Sequence, residues 1–146
     1  MVWLFFIDFI YKKMITEDVI KLASNTKYYG LRDIYTHRSN YKNKTCGDTI
    51  EIEIVVSKEK IKSLRYETRS CIFCQASASI LANSITSFKK NNITDQINVL
   101  RDYFMNNSLK LPKKFNSFKK ILSKNNANRF ECVLLPFKAL LKALDN

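Results

Sequence analysis

The sequence predicts an α+β fold in which a small antiparallel sheet comes first and helices follow. Three observations carry this. Between Thr49 and Ser57, Ile50, Ile52, Ile54 and Val56 alternate with Glu51 and Glu53, the period of a half-buried strand. After Cys71 the apolar spacing changes to that of helices, with Ala78, Leu81, Ala82 and Ile85 in one segment and Phe137, Leu140, Leu141 and Leu144 in another. At 146 residues, 46% hydrophobic, with two glycines and two prolines, the chain can bury one core and has little turn chemistry for an all-β design.

The elements read in order as follows. Val2 to Tyr11 is apolar but contains Asp8, has no basic residues before it, and is too short to cross a bilayer. A membrane anchor and a helix docked on the domain are both weighed against an apolar extension over residues 1–13, with a single domain over 14–146; the extension is preferred. The reason is Thr16, which sits where an N-cap belongs, with Glu17 and Asp18 in the first turn. That helix runs to Ser24, with Val19, Ile20, Leu22 and Ala23 on its buried side, and Gly30 lies in the turn after it. Leu31 to Arg38 reads as a first strand. Strands at Thr49–Ser57 and Ile61–Thr68, joined through Ser57-Lys58-Glu59-Lys60, make a hairpin with one wet face and one covered face. Helices follow over Gln75–Phe88, from Thr94 onward as its cap, and over Phe115–Leu122. Pro136 fits the last helix in its first turn, so Cys132 falls at or just before that helix begins.

The net charge is +12, and 19 of the 25 basic residues are lysines. Such a balance raises nucleic acid as a partner. The lysines are spread along the chain among asparagines and isoleucines, however, and arginine, which reads phosphates and bases by its fork, is scarce. A solvated basic surface and no nucleic acid is the reading preferred. A chain with this core and no usable secretory signal does not need disulfides, so Cys46, Cys71, Cys74 and Cys132 read as reduced thiols in a cytoplasmic protein.

Three of these cysteines fall at chain positions that can converge. Cys46 lies in a Cys-Gly-Asp turn before the best strand, Cys71 at the junction between the hairpin's second strand and a helix, and Cys132 at the start of the last helix. In a regular hairpin, Cys46 and Cys71 come from ends that lie side by side. With Asp48 and a docked last helix, three sulfurs and one oxygen suit a tetrahedral zinc ion and equally a [2Fe–2S] cluster. Any one cysteine alone would be read as a small core residue. Cys74 is read that way, as a packed thiol one turn above Cys71, in preference to half of a redox or zinc-knuckle pair. His37, the single histidine, is read as a surface residue.

The pieces Thr45-Cys46-Gly47-Asp48, Cys71-Ile72-Phe73-Cys74-Gln75-Ala76-Ser77-Ala78-Ser79, and Arg129-Phe130-Glu131-Cys132 leading to Leu134-Leu135-Pro136-Phe137 resemble the U-type iron–sulfur scaffold family, that is IscU, SufU and the N-terminal domain of NifU. The similarity runs from about Met14 to Leu144. The separation of 61 positions between Cys71 and Cys132 looks like the SufU branch; the Gln-Ala-Ser-Ala-Ser and Leu-Leu-Pro-Phe pieces look like the stand-alone alphaproteobacterial proteins. The resemblance implies a three-stranded sheet covered by helices, and Cys46, Asp48, Cys71 and Cys132 as ligands of iron or a [2Fe–2S] cluster, with zinc as the alternative occupant. It implies a cysteine desulfurase as sulfur donor, apo-iron–sulfur proteins as recipients, and a monomer or weak dimer without stable membrane insertion. The persulfide acceptor is Cys132 in an IscU-like mechanism and Cys46 in a SufU-like one, in which the protein is a zinc-dependent sulfur carrier. Glu131 departs from the family, which has histidine or lysine there, and the Leu-Pro-Pro-Val-Lys chaperone motif is absent.

Overall fold

The computed structural model describes residues 15–106, 111–122 and 124–145, so the extension expected over 1–13 lies outside the described residues. Helix α1 (Glu17–Ser24) starts at the cap anticipated for it: Thr16 Oγ1 accepts from the Val19 amide at 3.3 Å. A sheet of β1 (His37–Lys42), β2 (Thr49–Ser57) and β3 (Lys60–Arg69) follows, antiparallel and in sequential order. Helices α2 (Ile72–Ser84), α3 (Ile93–Asn106) and α4 (Phe130–Leu144) complete it, with 3-10 turns between them. Among the described residues no helix is long and apolar enough to cross a membrane.

The expected hairpin forms with register Ile50↔Thr68 and Ile52↔Tyr66, and turns through Lys58 and Glu59, both left-handed at φ 50° and 66°. That is the backbone a two-residue hairpin loop requires. Ile50, Ile52 and Ile54 face inward and are buried beneath α4, which packs on β1 and β2. Helix α2 is buried nearly all round, wedged between α1, α4 and β3. Phe115 and Phe118, in the 3-10 segment Lys113–Lys120, close the core by ring contacts to Phe88 and Phe137 at 5.5–5.6 Å between centroids.

Thr94, expected as a cap, lies inside α3, and the helix expected over Phe115–Leu122 is a 3-10 segment over Lys113–Lys120; four further expectations need correcting. The first strand is His37–Lys42, not Leu31–Arg38, because the amides of residues 31–33 bind side-chain carboxylates in place of a neighbouring strand: Leu31 N donates to Glu67 Oε1 (3.2 Å), Arg32 N to Glu53 Oε2 (3.0 Å) and Asp33 N to Glu53 Oε1 (3.0 Å). Glu53 is therefore buried, 2% exposed, on the face expected to be wet. Ile20, placed on the buried side of its helix, is 48% exposed. Pro136 lies in the middle of α4, six residues after its start. Its missing N–H deprives the Cys132 carbonyl of its helical donor, a defect costing ~3 kcal/mol in an exposed helix. Here the burial of Val133, Leu134, Leu135, Phe137 and Leu140 holds the helix together regardless.

Replacing Glu53 by Gln leaves one of the Arg32 and Asp33 amides facing an NH2 group, and should cost ~1–3 kcal/mol in urea unfolding. Glu67→Gln, at an exposed position, should stay within about 0.5 kcal/mol of the wild type. Equal losses in the two variants would show that the buried carboxylate does not anchor this segment.

A candidate metal and sulfur centre at one end of the sheet

Three chain segments meet where β2 begins and β3 ends. The loop before β2 is closed by Asn43 N to Asp48 O and Gly47 N to Asn43 O, both 2.8 Å, and Gly47 takes φ +78°. A Cβ there would meet no atom within 4 Å, so the demand for glycine is one of backbone conformation alone. This tight loop presents Cys46 to solvent and turns Asp48 back toward the sheet. Its carboxylate Oδ2 accepts from the Cys71 amide at 3.3 Å, which ties the loop to the residue preceding α2.

Helix α4 brings the third segment. Cys132 is in its first turn, two residues inside the start, and is buried. Two buried hydroxyls fix the helix: Ser77 Oγ donates to the Val133 carbonyl and Ser39 Oγ to the Ala139 carbonyl, each at 2.6 Å. The first links α2, which begins just after Cys71, to the residue next to Cys132.

The result gathers the Cys46 sulfur, an Asp48 oxygen and the Cys132 sulfur within 4.8 Å of one another. Donor atoms around one tetrahedral zinc or iron lie roughly 3.5–4 Å apart, so small side-chain rotations suffice to close on an ion, and the thiolate–carboxylate set suits either metal. Cys71 is not part of that trio; it stands beside it, against Cys132. Hydrogen bonding with the Cys132 thiol, and then the Cys74 and Phe73 amides at the start of α2, lower the Cys71 thiol to about 7 against the burial that opposes ionisation. The same contact, with burial and the nearby Cys71, Cys46 and Asp48, pushes Cys132 up, so Cys132 keeps the proton.

The remaining candidates separate clearly. Cys74 is fully buried in the core, 3.9 Å from Thr68 Oγ1, and burial pushes its thiol up to about 12. Glu131 points into solvent and pairs with Lys138 at 2.7 Å. His37 is half-buried, with Nδ1 2.8 Å from Thr36 Oγ1, away from the thiols. The sequence reading missed Ser39, Ser77 and Thr68, whose hydroxyl donates to the Thr49 carbonyl at 2.6 Å. The available signal was polar residues inside an apolar stretch, as in Ala76-Ser77-Ala78-Ser79.

Alkylation of the native, metal-free protein should mark Cys46 first. Cys71 should follow at a rate that climbs between about pH 6 and 8 as its thiolate forms, while Cys74 and Cys132 stay unmodified until the protein unfolds. Mass spectrometry of the time course reads the order, and labelling of Cys74 as fast as Cys46 would contradict the placement described.

Comparison with known proteins gives the site a setting. The NifU-like N terminal domain family matches residues 14–123, a span holding Cys46, Asp48 and Cys71. The iron-sulfur cluster assembly scaffold protein IscU of Thermotoga maritima is 27% identical over 135 residues, 92% of this chain and 95% of that one. An uncharacterized protein of Borreliella burgdorferi is 26% identical over 137 residues, 91% of this chain and 94% of that one. Among solved structures, the N-terminal NifU-like protein of Brucella abortus superposes with a TM-score of 0.80 at 16% identity, covering 93% and 95% of the two chains. A putative SUF-system scaffold from Fervidobacterium islandicum gives 0.76 at 22% identity, covering 90% and 97%. Those two likenesses establish the fold, a three-stranded antiparallel sheet backed by helices. The sequence match, running over most of the chain and through the Cys-Gly-Asp loop, establishes the kinship: this protein belongs to the family of NifU-like N-terminal domains.

Proposed function

We propose that this protein is an iron–sulfur assembly scaffold: it takes sulfur from a cysteine desulfurase, combines it with iron on Cys46, Asp48, Cys71 and Cys132, and hands a [2Fe–2S] cluster to apo-proteins. The observation that carries the reading is the gathering of two thiols and a carboxylate within 4.8 Å, with a third thiol alongside. Family membership and the likeness to a protein named as a scaffold support it.

The chemistry divides by accessibility. Cys46 is the exposed thiol. Its thiolate attacks the terminal sulfur of the donor's persulfide, the donor's S–S bond breaks, the donor leaves as a thiolate, and Cys46 becomes the persulfide. Reduction of that sulfur to sulfide draws electrons from incoming ferrous iron and from an external reductant. Cys132, buried and protonated, is a poorer first acceptor and a better late ligand. Asp48, an oxygen donor among sulfurs, makes the cluster easier to release than a set of four thiolates would.

A second reading follows from the same exposure of Cys46. If zinc rests on the site, Cys46 is the ligand freest to leave it and collect sulfur, and the protein is a zinc-dependent sulfur carrier that stimulates the desulfurase.

Anaerobic reconstitution with iron, cysteine and a cysteine desulfurase, followed by mixing with an apo-ferredoxin, tests both. Visible cluster absorbance that moves to the ferredoxin, and that is lost in the Cys46→Ala, Cys71→Ala and Cys132→Ala variants, is the expected outcome. Retention of cluster in all three variants would falsify the scaffold reading. Persulfide on Cys46 with bound zinc and no cluster would establish the sulfur-carrier reading in its place.

A further inference from the structure

A concavity of about 420 Å3 opens beside the thiol site and includes none of the candidate ligands in its walls. Its walls are the end of β1 with the following loop, through Lys42, Lys44 and Thr45, and α4, through Glu131 and Lys138 with the buried Leu135 between them. Two of these residues adjoin the site directly, since Thr45 precedes Cys46 and Glu131 precedes Cys132. The furrow therefore borders two of the candidate ligands at once.

Its charge is uneven. Glu131, the one acid lining it, is taken up by Lys138 at 2.7 Å. Lys42 and Lys44 are exposed and, among the described residues, have no acidic partner. One helical turn beyond Lys138, Lys142 adds a further ammonium, lying along the edge of β1 with Nζ 2.9 Å from the Asn40 carbonyl. Tyr41, half-buried, gives the furrow some apolar surface, with Leu135 buried behind it. A partner segment with carboxylates flanking an apolar side chain complements each part of this surface.

The geometry points to this furrow as the docking site for an acidic surface of the recipient apo-protein. The inference rests on the scaffold reading above. A sulfur donor has only to bring one persulfide to Cys46. A recipient must take over a cargo held by several ligands, and so must settle across both the Cys46 loop and the start of α4, the span the furrow covers. A nucleic acid fits less well: the furrow has no arginine to fork a phosphate, and its volume admits a few side chains and no duplex. Exposed lysines of this kind act mainly on the rate of encounter, and their effect is screened by salt.

The test uses full-length protein and an acidic apo-ferredoxin. Variant Lys42→Glu/Lys44→Glu is compared with the wild type and with Lys113→Glu/Lys119→Glu, an equal charge change at two exposed positions elsewhere. At low salt the furrow variant should transfer cluster at least about tenfold more slowly, with a flatter dependence on ionic strength, while loading cluster as the wild type does. Fluorescence anisotropy of labelled apo-ferredoxin with metal-free protein reads docking without any cluster, and should weaken in the furrow variant alone. Transfer and anisotropy unchanged in the furrow variant, or changed equally in the control, would overturn the inference. A variant slow to accept sulfur from the desulfurase but normal in transfer would overturn it too, assigning the furrow to the donor. If the wild type loads no cluster yet binds the ferredoxin through these lysines, the scaffold reading fails and the docking site stands.

Discussion

The pairing that closes the sheet beside the site, Thr49 against Arg69, is what the rest of the site depends on. Because β2 begins where β3 ends, the loop carrying Cys46 and Asp48 and the residue opening α2 emerge next to each other. Two side chains secure that junction. Thr68 donates its hydroxyl to the Thr49 carbonyl, and Asp48 accepts the Cys71 amide, an orphan donor at the beginning of a helix. A slip of one residue in this register would turn Ile50, Ile52 and Ile54 to solvent, so burial of those side chains enforces the register on which the site relies.

The third thiol reaches the junction through tertiary packing. Helix α4 lies over the buried face of β1 and β2 and carries a proline in its interior, so its position has to be fixed by partners. Ser77 and Ser39 supply two, bonding carbonyls of α4 from α2 and from β1. Both are buried, and a buried hydroxyl left without a partner would destabilise the fold, so each bond narrows the choice of helix positions to those that satisfy it. The Phe88, Phe115, Phe118 and Phe137 contacts press the same helix from the other side.

The fold was legible in the sequence where a periodic pattern met a single environment. The alternation over Thr49–Ser57 gave the hairpin, and Thr16 gave the start of α1, because strand period and helix cap are local. What failed was non-local. Residues 31–33 look like a strand, but their amides are claimed by Glu53 and Glu67, some twenty and thirty-six positions away. Glu53 itself looked like a solvent-facing residue because alternation tells which face a side chain takes and says nothing of what covers that face. Pro136 was placed by helix propensity, which the burial around it overrides. At the candidate site, the three residues that the structure gathers, Cys46, Asp48 and Cys132, were nameable from their positions at element ends. That Cys71 stands to one side of the trio, and that Cys46 alone is exposed, depends on side-chain directions no spacing encodes.

Those directions also set the electrical state of the site. Two sulfurs and a carboxylate within 4.8 Å, with Cys71 beside them, cannot all carry charge in a partly buried place without a cation, and the conflict is resolved by Cys132 keeping its proton while Cys71 gives up its own near neutrality. On the scaffold reading proposed above, an ion held there would supply the missing positive charge and displace that proton, because a thiol ligates as the thiolate. On that reading, occupancy would be linked to proton release from the most buried of the gathered thiols, the one whose helix is held by Ser77 and Ser39. Cys46 is the thiol of the group that faces solvent. On the scaffold reading, one constellation would hold its cargo from the buried side and trade from the exposed one, a division fixed by which chain segment each thiol comes from.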